Sequence, residues 1–289
     1  IEFIKKNNIS EIEHIFLSHP HDDHFSGMLD LLTYCEANKV KINYFLHTCV
    51  TTPDYLMSAV KSRISEELLF KIFSYISVKA SQGSMNTGYF IADIPMSKFS
   101  LSPSLRLEIM SPSFAEEQKY TGNAMPKYIE EGESNKAKAN YLSSVFEISH
   151  ASNNWFVILT ADADNSTFTR MKKHKTHETR KLILAQMPHH GARANFNQSF
   201  WYSRIANNKG VYFVASVGNN GYGHPAKKNI DFVKRHKGKA FFTKKMSMDV
   251  SSKTSHLDSF SAITVQPNLI NHCFEIDESG NITQSTFKL

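Results

Sequence analysis

The chain has 289 residues, enough for one large domain or two small ones. Hydrophobic residues make up 41%, which excludes a disordered chain, and the longest apolar runs, such as Trp155-Phe156-Val157-Ile158-Leu159, are too short to span a bilayer. The formal charge of +6 is a modest excess that favours polyanionic partners without choosing one.

Residues 1 to 10 read as the end of a helix, stopped by Asn7-Asn8. Residues 12 to 18 form a strand around the apolar run Ile15-Phe16-Leu17, and residues 25 to 38 a helix ending near Asn38. Lys41 to Leu46 alternate as a strand, with Ile42, Tyr44 and Leu46 on one face. His47 follows, and a lone His after a strand reads first as structural. Residues 51 to 85 read as a helical insertion, because Leu56, Val60, Ile64, Leu68, Leu69 and Ile72 recur at helical spacing. Residues 86 to 104 read as irregular. Leu105 to Met110 alternate as a strand that turns at Ser111-Pro112. Residues 113 to 138, with Glu116, Glu117, Glu130, Glu131 and Glu133, read as a polar surface loop or short helix, a candidate lid. Tyr141–Ile148 and Trp155–Thr160 read as two strands joined by the turn Ala151–Asn154, with Asp162 just beyond. Residues 165 to 181 form a basic helix or loop. Leu182–Ala185 and Val211–Val217 read as strands, Lys227–Lys237 as a basic helix, and the remainder as short terminal strands. No repeat or linker divides the chain, so a single domain over residues 1–289 is expected. Cys35, Cys49 and Cys273 are odd in number and widely spaced, which suits buried free thiols in a reducing cytoplasm rather than a disulfide framework.

The chemistry concentrates in His19-Pro20-His21-Asp22-Asp23-His24, an H-x-H-x-D-H pattern on the turn between a strand and a helix. Imidazole and carboxylate suit zinc, manganese or iron. His19 and His21 can share one face at period two, while the turn carries Asp23 and His24 round to a second centre. Two adjacent metals are therefore expected. A His-rich solvated loop is the plain alternative, and three His with an Asp in one hexapeptide make it the weaker one.

This pattern resembles the signature of the metallo-β-lactamase superfamily. The resemblance implies an α/β fold, the four-layer αββα sandwich, with a metal site at one edge. Folds of that type begin with β-strands, so a native N-terminal piece is expected before Ile1. Thr160-Ala-Asp162-Ala163 stands where the family carries a metal-bridging Asp. His189-His190-Gly191 supplies the next element, with His190 favoured as the last ligand and His189 as a substrate contact or proton donor. Gly191 lets the backbone approach closely. Ala215-Ser-Val-Gly-Asn-Asn-Gly-Tyr-Gly-His-Pro225 resembles a segment of ComEC-like hydrolases, which include the hydrolase domain of bacterial DNA-uptake channels. That resemblance covers about residues 1 to 245 and implies a substrate or proton-transfer role for His224. One departure stands out. Where many members place a further His before the bridging Asp, this chain has Asn140, a poor zinc ligand and a fair donor to harder ions. The metal is thus zinc by family default, with manganese or magnesium as options, and a one-metal state is admitted.

The resemblance implies hydrolysis by a metal-bound hydroxide, with Asp23, His189 and His224 as catalytic groups and His19, His21, Asp23, His24, Asp162 and His190 as ligands. The first expectation is a phosphodiesterase acting on nucleic acid, DNA before RNA. Arg193, Lys227 and Lys228 would carry phosphates, while Tyr222, Phe196, Phe200 and Trp201 would be available to stack bases. A small-molecule phosphoester or lactone hydrolase is the second expectation. The third is a regulated effector subunit in a larger assembly, with a regulatory protein partner or as a homo-oligomer.

Overall fold

The computed structural model describes residues 1–48, 60, 62–93, 98–124, 139–173, 180–206, 208, 210–218, 223–243 and 271–287. Tyr222, Cys49, and most of the expected insertion before Arg63 lie outside them.

The architecture is mixed α/β. Strands β1 (Glu11–Leu17), β2 (Lys41–His47) and β3 (Asn86–Tyr89) form a parallel sheet in that order. A seven-stranded sheet runs β4 (Lys98–Ser100), β5 (Leu105–Ser111), β6 (Val145–His150), β7 (Trp155–Leu159), β8 (Lys181–Gln186), β9 (Tyr212–Ala215) and β10 (Lys239–Phe242), in sequence order across the sheet. Its pairs are antiparallel from β4 to β7 and parallel from β7 to β10. A separate antiparallel hairpin joins β11 (Asn271–Ile276) and β12 (Ile282–Phe287).

Strand alternation sorts the core. Phe16 of β1 and Leu46 of β2 pack with Leu107 and Ile109 of β5 and with Phe146 of β6, closing the two large sheets on one another. The Phe16 and Phe146 ring centroids are 4.9 Å apart. Ile15, Leu17 and Phe45 point the other way. They meet Leu32 and Cys35 of the helix Met28–Ala37, and Leu69, Ile72 and Ile76 of the helix Arg63–Ser81. On the seven-stranded sheet, Phe156, Ile158 and Phe213 meet Phe168, Phe200, Trp201 and Phe232 from the helices Asn165–Met171, Gln198–Ile205 and Lys227–Arg235. The alternate residues Trp155, Val157 and Leu184 are covered by Phe274, Ile276 and Ile282 of the hairpin.

Local chemistry starts the helices. The side chains of Ser62, Asp164 and Asn197 accept from the N–H groups of Ser65, Thr167 and Phe200, satisfying donors that the first turn leaves open. Several sequence expectations shift here. Two strands, β3 and β4, lie inside residues 86–104. The helix expected over 25–38 is two pieces, Asp22–Phe25 and Met28–Ala37, so Asp23 and His24 already stand on helical backbone. Of the expected common face of Ile42, Tyr44 and Leu46, Tyr44 and Leu46 share the side toward the other sheet, Tyr44 at its exposed margin stacked on His14, whereas Ile42 joins the helix-side core. The lid expected from residue 113 begins with an anchored helix, Phe114–Ala124. Buried Glu116 accepts from Ser113 N at 2.7 Å and from Arg170 Nη2 at 2.9 Å. Among the described residues, no helix is long and apolar enough to cross a membrane.

Candidate metal centre

The strand directions bring distant segments to one edge. Ser18-His19 leaves the carboxyl end of β1, Asp162 follows β7, His189 follows β8 and Ser216 follows β9. The short 3-10 turn Ala139–Leu142 enters β6, which is antiparallel to β7, so Asn140 arrives at that same edge. Carboxyl ends of parallel strands are where open α/β sheets place their sites.

Asp162 is the centre of the arrangement. It is 3% exposed, and its two carboxylate oxygens face different imidazoles. Oδ2 lies 3.8 Å from His19 Nε2 and 3.7 Å from His189 Nε2, while Oδ1 lies 3.3 Å from His24 Nε2. His19 Nε2 is in turn 3.1 Å from His21 Nδ1. Asp23 Oδ2 lies 2.9 Å from His190 Nε2 and 3.7 Å from His24 Nε2. Two sets with convergent donor atoms result, Asp23–His24–Asp162–His190 and His19–His21–Asp162, with Asp162 common to both.

Electrostatics define the ion-free arrangement. Burial drives the His19 imidazole well below its usual pKa, with the neighbouring His24 and His21 adding to the effect. The His190 hydrogen bond holds the Asp23 carboxyl far below the ordinary carboxylate range. His190 itself is pushed up to about 9, mainly by that same bond, against an opposing burial effect. Its Nδ1 donates to the Ser216 carbonyl at 2.7 Å, so the proton there is fixed and Nε2 is the atom turned to the centre. Burial raises Asp162, but His24 and His189 beside it outweigh that and leave the carboxyl lowered. His224, its ring centroid 5.9 Å from that of His189, is lowered by burial and then by the charges of His189 and His190.

The donor set fits a divalent cation. Imidazole nitrogens and carboxylate oxygens converge, and buried His24 Nε2 lacks a hydrogen-bond partner, since its approach to Asp162 is not aligned as one. Two ligands about 2.1 Å from one tetrahedral ion stand roughly 3.4 Å apart, and the spacings around Asp162 cluster near that value. The supporting shell is fixed as well. Ser18 Oγ is 3.1 Å from His19 Nδ1 and accepts from Ser144 N at 3.2 Å, tying the two sheets at the site. Sequence marks out neither Ser18 nor the Ser216 carbonyl, and Ser144 only by its place behind Asn140. Small hydroxyl residues and backbone groups carry no pattern of their own, and adjacency to His19 was the one available signal for Ser18.

Other expected residues fall as follows. Asn140 Nδ2 is 3.2 Å from His189 Nδ1, so it touches the site through that ring. Arg193, Lys227 and Lys228 are exposed, and Lys227 pairs with Asp231 at 2.6 Å on its own helix. Phe196, Phe200 and Trp201 are core residues, 5% exposed or less, and are withdrawn as base-stacking candidates. His47 packs on Phe73 and Tyr89 and belongs to neither of the two donor sets. His150 Nδ1 accepts from Ser152 N and Asn153 N and serves its turn. Comparison with known protein families, curated proteins and solved structures yields no match.

Proposed function

We propose that the chain is a hydrolase of the metallo-β-lactamase type, with the αββα sandwich, whose two-metal centre cleaves phosphodiesters of nucleic acid, DNA in the first place. The layer order supports the fold: helices, the three-stranded sheet, the seven-stranded sheet and helices again, with the metal groups at the strand ends. The observation that carries the chemistry is the buried Asp162, whose oxygens face His19 on one side and His24 on the other. Residues His19, His21 and Asp162 would hold one ion; Asp23, His24, His190 and Asp162 would hold the other. Zinc suits these donors best, with manganese next. A divalent pair supplies positive charge against an anionic transition state and makes water acidic enough to attack at neutral pH. Asp23, half exposed, would help to hold an ion and to orient the attacking water. His224 stands beside His189 as the proton-transfer or substrate contact.

Nucleic acid is favoured over a small ester by where positive charge meets the site. Ala226 N donates to Gly191 O at 2.9 Å, which docks the start of the helix Lys227–Arg235 on the His189-His190-Gly191 turn. Lys227, Lys228, Lys234 and Arg235 stand together on the open face of that helix, with Asp231 among them and paired to Lys227. A backbone of phosphates leaving the metals would run onto it. The test is cleavage of linear DNA, circular DNA and RNA with Mn²⁺, Zn²⁺ or Mg²⁺, with Asp23→Ala as control. Cleavage by the wild type and none by the variant supports the reading, and a cut circle makes it an endonuclease. Turnover of small phosphoesters or lactones alone would reject nucleic acid as substrate.

A further inference from the structure

Sequence leaves the His19–His21 centre one imidazole short, because Asn140 stands where a third would be expected. The family resemblance behind that expectation makes His189 a substrate contact or proton donor. The geometry places it elsewhere. Its Nε2 approaches Asp162 Oδ2 at 3.7 Å, the same oxygen that His19 Nε2 approaches at 3.8 Å. His24 approaches the other oxygen, and His190 turns to Asp23. The Asp162 carboxylate thus divides three imidazoles between its two oxygens, with His189 on the side of His19 and His24 on the other.

The backbone explains how neighbouring residues divide in this way. His189 and His190 have φ of 48° and 55°, and Gly191 has φ of 83°, three successive residues in the left-handed region. Such a conformation costs on the order of 1–3 kcal/mol at a non-glycine residue and persists where surroundings impose it. Here His189 N donates to Ala161 O at 3.0 Å and Ala192 N to His189 O at 2.8 Å. The turn sets the two rings at 81° to one another, 5.8 Å between centroids, so they address different centres. A separation of 3.7 Å is too long for a hydrogen bond and close to the roughly 3.4 Å edge between two ligands of a tetrahedral ion.

Resting on the two-metal reading above, we propose that His189 Nε2 is the third imidazole of the His19–His21 centre, and that Asn140 is its positioning residue. Asn140 reaches His189 at Nδ1, the ring atom opposite the ligating one. Turned end for end, its amide presents Oδ1 to accept from Nδ1–H, which leaves Nε2 with its lone pair free for a metal. The buried Asn140 Oδ1 has no hydrogen-bond partner in the ion-free arrangement. The position that looked like a lost ligand therefore supports a ligand recruited from the next strand end.

The experiment is calorimetric titration of the full chain with Zn²⁺ and Mn²⁺, with Co²⁺ absorption reporting the ligand field. Asn tolerates positive φ, so His189→Asn keeps the turn, and circular dichroism checks the fold. Wild type is expected to bind two ions and His189→Asn one. Adding Asp23→Ala to His189→Asn should abolish binding, whereas adding His21→Ala should change nothing further. Asn140→Leu should weaken one of the two ions by about 10–100-fold, the usual effect of removing an outer-shell partner, and Asn140→Asp should restore it. Two ions bound by His189→Asn with wild-type affinity and an unchanged Co²⁺ spectrum would overturn the inference alone. A wild type that binds no metal would overturn the two-metal reading and this inference with it.

Discussion

At the scale of single residues, the site depends on a few positions with no tolerance. Asp162→Asn keeps volume and removes the charge common to both donor sets, so on the two-metal hydrolase proposal the variant is expected to lose cleavage and bind at most one ion tightly, read by activity and titration together. Gly191 is constrained by space as well as by φ. A Cβ there would sit 2.6 Å from Pro225 Cβ, far inside contact distance, at a backbone angle that disfavours any L side chain. Gly191→Ala should cost about 1–3 kcal/mol, seen as a lower urea midpoint at unchanged slope. An unchanged midpoint would mean that the turn and Pro225 separate easily, and the geometry of both His rings would lose its anchor. The donor types that converge at this edge are legible in the sequence because H-x-H-x-D-H is local. The directions in which the His189 and His190 rings point are not, since they depend on a left-handed turn.

At the scale of elements, the helix Lys227–Arg235 has two faces with different tasks. Buried Asn229 donates through Nδ2 to Gly191 O at 2.9 Å and Ala192 O at 3.1 Å, and Phe232 and Val233 seal the core. The lysines stand outside. Lys227 and Asp231 are exposed, and a pair of that kind contributes at most about 1 kcal/mol, so Lys227→Ala with Lys228→Ala should barely change stability. If this helix carries phosphates, the double variant should bind DNA more weakly at low salt, and the slope of log K against log salt should fall by roughly 0.9 per lost contact. An unchanged slope would remove the helix from the substrate path. Alternation locates β5 and an unbroken apolar run locates β8, while this helix reads as a basic segment after the His224-Pro225 turn. Neither pattern finds β3 and β4, whose residues Asn86-Thr-Gly-Tyr89 and Lys98-Phe-Ser100 are short and mostly polar. Those strands exist through pairing with β2 and β5, which no local pattern encodes. The aromatics of the helix Gln198–Ile205 were misread for a related reason, since a ring that stacks on a base and a ring that fills a core look alike in sequence.

At the scale of the whole molecule, the centre lies across the join between two sheets. His19 and His21 follow β1 of one sheet, while Asp162, His189 and His190 follow β7 and β8 of the other. Without an ion, that edge holds clustered imidazoles and a buried carboxylate, with the Ser18–Ser144 contact bridging beside them. Bound metal would add ligand bonds from both sheets to one point, so it should favour the closed pair over any state in which they part. Linkage sets the size: free metal at 100 times its Kd stabilises by about 2.7 kcal/mol. A chain of this length responds by roughly 2–4 °C per kcal/mol, so Zn²⁺ or Mn²⁺ should raise Tm by about 5–10 °C, and a chelator should reverse it. His21→Ala should reduce the response and Asp162→Ala should nearly remove it, whereas Lys228→Ala should leave it intact. A Tm indifferent to both metals would mean that the edge where the sheets meet is held by its hydrogen bonds alone. The convergence of His and Asp would then be packing, and the hydrolase reading would lose its physical basis.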